Sequence, residues 1–298
     1  MARPMRSLLL LVVCGLLASL VGCGGGSSGQ TQPPQPTNVL AYLHRVGESI
    51  TYQVELLKSD GTTSPLASTN SYISVVLAPN GKQILFSYWN GTNYEIATMN
   101  TDGTGMTQLA SGLYPQYTPD GSRIVYESSR QVAVMNADGS NQTVITNLAA
   151  GQFCFPATNG SVIAVGMYGI GEQGLVSMNM DGSNTQLLVS TVYSVFPAFS
   201  SDGSQIIFSN SGGQDENIYS ISTTGSNLVQ LTNSFENWDP LVVGNKIYFD
   251  YIPPSIQNST VDNNQIYSMG VDGSNLTAVT NDTLYDGFKT WNGLCLNP

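Results

Sequence analysis

Short apolar runs recur along the chain from about residue 38 onward, and turns rich in Gly, Asp, Asn and Ser separate them. The runs contain many β-branched and aromatic residues, for example at 84–86 (ILF), 124–126 (IVY) and 206–208 (IIF). Runs of this length and composition are typical of β-strands, because helices show longer stretches with an apolar residue at every third or fourth position. The pattern therefore predicts an all-β protein made of some two dozen short strands.

A Gly-Ser or Gly-Thr turn, preceded by Asp in five of six copies, recurs between pairs of these runs. Its glycines are spaced 42, 36, 43, 43 and 48 residues apart, at Gly61, Gly103, Gly139, Gly182, Gly225 and Gly273. Gly accepts the positive φ that a tight hairpin requires, so each copy predicts a turn between two strands. A second hairpin signal comes earlier in each unit, most clearly at 78–86 (APNGKQILF), 118–126 (TPDGSRIVY) and 200–208 (SSDGSQIIF).

Each unit therefore contains four strands, named a to d in chain order, with these turns between a and b and between c and d. Four-stranded units that repeat every 40 to 50 residues indicate a β-propeller. The turn aspartates are expected to accept hydrogen bonds within their own turns. They are Asp102, Asp120, Asp138, Asp181, Asp202 and Asp272.

These residues resemble the TolB-like, WD40-like repeats known as PD40, in which an S-P-D-G turn, an I-x-F strand and a D-G-S turn with a following L-T recur. The resemblance covers about residues 38–298 and implies the propeller fold. Because such repeats occur in proteins with many roles, it implies no single activity.

The number of blades follows from counting units. Five complete units cover 72–111, 114–146, 153–191, 196–232 and 238–280. The start of the domain supplies strands b, c and d, and the end supplies one more run at 287–291. We therefore predict a six-bladed β-propeller closed by a C-terminal strand that joins the N-terminal blade, since an open blade would leave an unpaired edge.

The N-terminal segment has the pattern of an export signal. Arg3 and Arg6 precede an apolar run at 8–21, which ends in a sequence (LVGC) that resembles the bacterial lipobox. We predict a lipoprotein signal peptide at 1–22, a palmitate-bearing lipidated Cys23 with a Gly/Ser/Pro-rich tether at 23–37, and the propeller at 38–298. The protein is expected to be exported and lipid-anchored at the outer membrane, facing the periplasm or the cell surface.

Charge and rare residues exclude several functions. The chain has 20 acidic and 9 basic residues, a net charge of −11, which argues against nucleic-acid binding. Its single histidine, His44, excludes a multi-histidine metal site, and we expect no cofactor and no resident metal. After cleavage and lipidation, Cys154 and Cys295 remain, and they can form a disulfide or stay as two buried thiols.

Two faces are expected, because the a–b and c–d turns lie on one side of a propeller and the b–c and d–a connections on the other. We call these the turn face and the loop face. The loop face has the longer and more variable connections, where binding residues usually lie. The candidate binding residues on it are Tyr114, Phe155, Phe196, Glu236, Trp238, Asp239, Asp282, Tyr285 and Asp286. Aromatic residues at these positions can also serve packing between blades.

These observations favour a non-catalytic, monomeric envelope propeller that binds a protein segment, or a glycan, at its loop face and channel mouth. The alternative is a carbohydrate-binding or polysaccharide-degrading propeller that uses the channel carboxylates Asp239 and Asp286. A scaffold without a dedicated ligand stays open. A Ca²⁺ ion shared by the loops that contain Asp215, Glu216 and Asp262 is a further possibility, although no run matches a known Ca²⁺ loop.

Overall fold

Six four-stranded antiparallel sheets make up the part of the chain described by the computed structural model, and they form the six blades of a β-propeller. The described residues are 37–45, 52–69, 72–146, 152–169, 174–190, 196–211, 216–233, 237–251, 265–280 and 286–287. Within these ranges all regular structure is β-strand, and no helix is long and apolar enough to cross a membrane.

The strands are numbered in chain order and grouped by blade. Blade one contains β1 (Asn38–Arg45), β2 (Tyr52–Lys58), β3 (Thr63–Thr69) and, from the end of the chain, β24 (Asp286–Gly287). Blade two contains β4 (Tyr72–Leu77), β5 (Gln83–Trp89), β6 (Tyr94–Asn100) and β7 (Thr107–Ser111). Blade three contains β8 (Leu113–Tyr117), β9 (Arg123–Ser128), β10 (Gln131–Asn136) and β11 (Thr143–Val144).

The remaining three blades follow the same order. Blade four contains β12 (Gln152–Thr158), β13 (Val162–Gly169), β14 (Gly174–Asn179) and β15 (Gln186–Ser190). Blade five contains β16 (Pro197–Phe199), β17 (Gln205–Ser211), β18 (Glu216–Ser222) and β19 (Val229–Gln230). Blade six contains β20 (Asn237–Val243), β21 (Lys246–Tyr251), β22 (Gln265–Gly270) and β23 (Thr277–Ala278).

Apolar side chains on the second strand of each blade point alternately to the two neighbouring blades. In β5, Ile84 and Phe86 pack in the core shared with blade one, whereas Leu85 packs in the core shared with blade three. Ile206 and Ile207 divide in the same way between blades four and six. These strands are buried on both faces, so their sequences are continuous apolar runs with no alternation of polar residues.

A core between blades six and one closes the ring. Leu40 and Tyr42 of β1 pack there with Tyr248 and Ile266 of blade six. The C-terminal strand β24 pairs antiparallel with β1, and Leu43 lies opposite Gly287. The predicted six blades and the closure by a C-terminal strand are confirmed.

The glycines of the c–d turns lie against the outer strand of the preceding blade. At Gly182, with φ of +81°, an added Cβ would come within 3.0 Å of the carbonyl oxygen of Ile145 in blade three. The equivalent glycines of blades two, three, five and six also face the preceding blade, at Leu66, Leu109, Leu188 and Leu231. The repeated glycine therefore serves both the turn conformation and the contact between blades.

The threonine near the end of several repeats connects the outer edge of its blade to the third strand. The hydroxyls of Thr146, Thr232 and Thr280 each accept a hydrogen bond of 2.9 Å from a backbone N–H near the start of that strand. The donors are Val132, Ile218 and Ile266. These bonds satisfy N–H groups at the blade corner, where the short outer strand has ended.

Candidate functional site

The inner strands of blades three to six carry the same two-residue feature at their loop-face ends. A proline follows Tyr114, Phe155, Phe196 and Asp239, which lie just before the inner strand of their blade or within its first four residues. Three of the four candidates are therefore aromatic and the fourth is acidic. The repeated X-Pro pair shows that these four residues occupy equivalent positions in their blades.

The three aromatic residues form a continuous buried row. The ring of Phe155 lies 4.8 Å from that of Tyr114 and 4.3 Å from that of Phe196, centroid to centroid. Their exposed fractions are 2% to 4%, and Ile73 and Leu113 complete the cluster. This arrangement favours packing between blades over direct ligand contact for the three rings. We call this group the aromatic cluster.

Asp239 occupies the corresponding position in blade six, where its side chain is acidic instead of aromatic. Its exposed fraction is 2%, and its φ of 45° lies in the left-handed region that non-glycine residues rarely adopt. The pairing of β20 with β21 is irregular between Trp238 and Leu241, so Asp239 lies in a β-bulge. Tyr114 has the same features in blade three, with a φ of 51° and an irregular pairing between Leu113 and Gln116, so the bulge belongs to the repeated position and not to Asp239 alone.

The surroundings of Asp239 are polar. Asp250 of β21, directly opposite Trp238 in the strand register, is 1% exposed, and Trp238 itself is half-buried. The side-chain amide of Asn237 donates a 3.0 Å hydrogen bond to the carbonyl oxygen of Glu216 in blade five. Blade six thus has a buried polar end where blades three to five have aromatic rings.

A central cavity of about 840 Å³ lies between the inner strands. Its wall contains residues of β4, β8, β12, β16 and β20 together with the first residues of β1. Asp239 contributes to this wall, and the lining continues to the a–b turns at Pro79, Pro119, Asn159 and Gly203. The cavity therefore reaches the turn face, and the aromatic cluster lies at the opposite ends of the inner strands.

Most of the other candidate residues lie outside the described ranges of the chain. Glu236, Asp282 and Tyr285 are not among the described residues, and Asp286 is described only as part of the backbone of β24. Of the residues considered for Ca²⁺, Asp215 and Asp262 also lie outside it. Within the described ranges no group of three or more His, Cys, Asp or Glu side chains could hold a metal ion.

The turn aspartates have the structural role expected for them. Asp138 Oδ1 accepts hydrogen bonds from the backbone N–H and the hydroxyl of Ser140, at 2.9 and 2.6 Å. The other five predicted residues accept equivalent bonds, as does Asp60. A bond from the Thr118 hydroxyl, followed by bonds from Ser122, lowers the pKa of Asp120 to about 2. The turn face is therefore anionic at neutral pH.

Two buried carboxylates on the loop side were not anticipated from the sequence. Glu95 is 4% exposed and accepts hydrogen bonds of 3.0 Å from both Gln108 and Ser111. Glu127 is 6% exposed, and desolvation raises its pKa although the nearby Arg130 opposes the shift. In the described part of the chain Cys154 is a buried, free thiol, and Cys295 lies outside that part.

Comparisons with solved structures agree with the six-bladed architecture. A TolB-type protein from Agrobacterium tumefaciens matches with a TM-score of 0.63 and 16% identity over 86% of this chain and 91% of that one. TolB from Acinetobacter baumannii matches with a TM-score of 0.65 and 13% identity over 85% of this chain and 63% of that one. A chain of a nidogen/laminin complex matches with a TM-score of 0.61, 12% identity and coverages of 80% and 91%.

Other similar propellers occur in peptidases, including the tricorn protease. At these identities the likenesses show the fold alone. No curated protein sequence matches the chain. The sequence profile of the PD40 family, described as the TolB beta propeller domain, matches residues 78–241, which is more than half of the chain. Together with the six-bladed ring, this match shows that the chain belongs to the TolB beta propeller family.

Proposed function

We propose that this protein is a non-catalytic, lipid-anchored propeller of the bacterial envelope that binds a protein segment at its loop face and channel mouth. The observation that carries the proposal is Asp239, a buried carboxylate at the loop-face end of the inner strand of blade six, where it contributes to the wall of the 840 Å³ cavity. A cavity of this size falls in the range of ligand sites, which are mostly apolar with a few placed polar groups. Asp239 stands where blades three to five have an aromatic residue, and it supplies a polar group to the wall of the cavity.

The remaining candidates take two roles in this proposal. Tyr114, Phe155 and Phe196 support the site as a rigid base, because their rings are buried against one another. Trp238, which is half-buried, provides contact area beside Asp239. Glu236, Asp282, Tyr285 and Asp286 are proposed to supply the acidic and aromatic rim contributed by the connections into blades six and one.

The test starts from crosslinking of the full chain in its own cells and purification of the recovered partner. Asp239→Asn and Glu236→Lys are each expected to raise the dissociation constant about tenfold, which corresponds to about 1.4 kcal/mol. Asp272→Asn on the turn face is the matched control and should leave binding unchanged. Melting curves check that each variant is folded. The proposal is refuted if both loop-face variants bind the partner as tightly as the wild type does.

Anchoring through Cys23 is a separate part of the proposal. It is supported by the charged start, the apolar run and the lipobox-like residues before Cys23. Cells grown with an alkyne analogue of palmitate are expected to label the wild-type protein and to retain it in the membrane fraction. Cys23→Ala should abolish both results, and a Cys23→Ala protein that still carries the label would contradict the assignment.

A polysaccharide-degrading enzyme is the second candidate function. The observation in its favour is that two carboxylates of blade six, Asp239 and Asp250, are both buried and lie on adjacent strands. Paired carboxylates are the chemistry of glycoside hydrolysis. Release of reducing sugar from envelope polysaccharides, lost in Asp239→Asn and Asp250→Asn, would favour this function, as would a role for Asp286 shown in the same assay.

A further inference from the structure

A second cavity, of about 360 Å³, lies on the turn face between blades two and three. Blade two contributes Gln83 and Leu109 to its wall, and blade three contributes residues of both its turns. Ala78, Pro79 and Tyr117 line this cavity as well as the central one, so the two cavities adjoin. We call the second cavity the turn-face groove.

Both turns of blade three place a carboxylate in this groove. Asp120 lies in the a–b turn and Asp138 in the c–d turn, and both line the groove. The backbone N–H of Ala137 donates a 3.0 Å hydrogen bond to the carbonyl oxygen of Ser122, which fixes the two turns beside each other. Among blades two to six, blade three alone has Asp in both turns. The other four blades have Asn80, Asn159, Thr224 or Val243 at one of the two positions.

The two carboxylates are exposed and held in fixed positions. Both hydrogen bonds of Asp138, from the N–H and the hydroxyl of Ser140, end on Oδ1, so Oδ2 keeps its lone pairs for a ligand. On Asp120, Oδ2 accepts a single bond, from the hydroxyl of Ser122 at 2.8 Å, and can accept a second. Fixed side chains lose little entropy when they bind a partner.

The two acids differ in the charges that surround them. The positive charge of Arg123 acts on Asp120 and adds to the hydrogen bonds that lower its pKa. Among the described residues, no cation acts in this way on Asp138, whose pKa is lowered by its bonds to Ser140. Asp138 therefore offers the less compensated negative charge, and Asp120 offers the second.

The walls of the groove are firm and partly apolar. The side-chain amide of Gln142 donates 3.0 Å hydrogen bonds to the carbonyl oxygens of Leu109 in blade two and Gly139 in its own blade. A Cβ added at Gly139 would lie 3.2 Å from the Cα of Leu109. The turn that carries Asp138 therefore packs directly on blade two. Pro79 and Leu109 add apolar surface to the wall.

We propose that the turn-face groove binds an arginine side chain of an extended segment of a partner protein. The planar guanidinium has five N–H donors and can bind the carboxylates of Asp120 and Asp138 together. Its aliphatic stem packs along Pro79 and Leu109. Because the groove adjoins the central cavity, an extended chain fits it better than a small cation does. A basic segment also complements the net charge of −11.

This site lies on the opposite face of the propeller from the proposed loop-face site and does not depend on it. The test uses a displayed peptide library in which a fixed arginine is flanked on both sides by random neutral residues. The library is selected on the purified full chain and depleted on the Asp120→Asn/Asp138→Asn double variant. Asparagine suits the turns, because blades two and four carry Asn80 and Asn159 at the position of Asp120.

A selected peptide is synthesised, and its dissociation constant is measured for the wild type and the single variants. Asp138→Asn is expected to raise the constant at least about tenfold. Asp120→Asn should raise it by a smaller factor, because Arg123 already compensates part of that charge. Asp181→Asn is the matched control, since Asp181 accepts the same pair of bonds in the c–d turn of blade four and lies outside the groove. It should bind like the wild type.

Changes in the peptide and in the groove wall test the same contact from both sides. Citrulline, which has the shape of arginine without its charge, should weaken binding as much as Asp138→Asn does. Lysine in the peptide should retain part of the affinity, because an ammonium group lacks the planar fork. Thr107→Lys places a cation in the wall of the groove and should also weaken binding. Melting curves verify that every variant is folded.

The outcomes separate this inference from the proposed function. Equal binding by Asp138→Asn and the wild type overturns the inference, as does a library that yields no peptide preferring the wild type to the double variant. Displacement of the peptide by an equal concentration of Ca²⁺ overturns it in favour of an ion site. Asp239→Asn should leave peptide binding unchanged. A loss of binding in that variant places the peptide on the loop face and refutes the turn-face site, while the proposed function stands.

Discussion

The contact between turn glycines and the preceding blade can be tested with a matched pair of substitutions. Gly182 and Gly61 occupy the same turn in blades four and one, and their φ values are +81° and +82°. An added Cβ at Gly61 meets no heavy atom within 4 Å, whereas at Gly182 it would overlap the carbonyl of Ile145. Gly61→Ala therefore measures the cost of the backbone conformation alone, and Gly182→Ala adds the clash between blades.

The expected magnitudes follow from these two contributions. A non-glycine residue in the left-handed region costs about 1–2 kcal/mol, and the lower entropy of the unfolded alanine chain offsets about 0.4–1 kcal/mol of this. Gly61→Ala is therefore expected to lower the free energy of unfolding by about 1 kcal/mol. The forced shift of a packed backbone adds about 1–3 kcal/mol at Gly182.

Thermal melting of the two purified full-length variants is the assay. For a protein of this size, each kcal/mol corresponds to about 2–4 °C in the melting temperature. An additional cost near 2 kcal/mol thus predicts that Gly182→Ala melts about 4–8 °C below Gly61→Ala. Equal melting temperatures for the two variants would refute the reasoning, because they would show that the glycine is needed only for its φ.

Four further results are expected. Phe155→Ala should destabilise the fold by about 3–5 kcal/mol in chemical unfolding, because it leaves a cavity in the aromatic cluster. Bonds to Asp120 and Asp202 hold their pKa values at about 2, so their stabilisation is complete above pH 4 and is lost in melts as the pH falls towards 2. Burial raises the pKa of Cys154, which should resist thiol reagents until denaturant is added. Deletion of 284–298 should abolish cooperative melting, because it removes β24.

The fold was predictable because its signals are local and repeated. Each Asp-Gly turn marks a hairpin within a few residues, and six near-copies made the period visible. The closing strand could be placed because the first blade had three strands and the end of the chain had one spare run. In β3, which extends over Thr63–Thr69, most residues are polar, so the pattern of apolar runs does not mark the bounds of the strand.

The site was less predictable because it depends on contacts between blades. The sequence placed Tyr114, Phe155 and Phe196 at the channel, but it could not show that their rings bury one another. The exposure of Trp89 was not predictable, because a tryptophan at the end of a strand is equally compatible with a core residue. The left-handed φ of Arg130 could not be predicted from the sequence either, because the turn contains no glycine.

The repeat allows equivalent positions in different blades to be compared. An aromatic residue before the inner-strand proline stabilises the ring by burying its surface and needs no specific partner. A carboxylate at the same depth costs free energy unless hydrogen bonds or charges compensate it. The carboxylate of Asp239, which is 2% exposed, therefore depends on polar partners that the rings of Phe155 and Phe196 do not need. This dependence on polar partners is the reason for placing Asp239 in the proposed binding site.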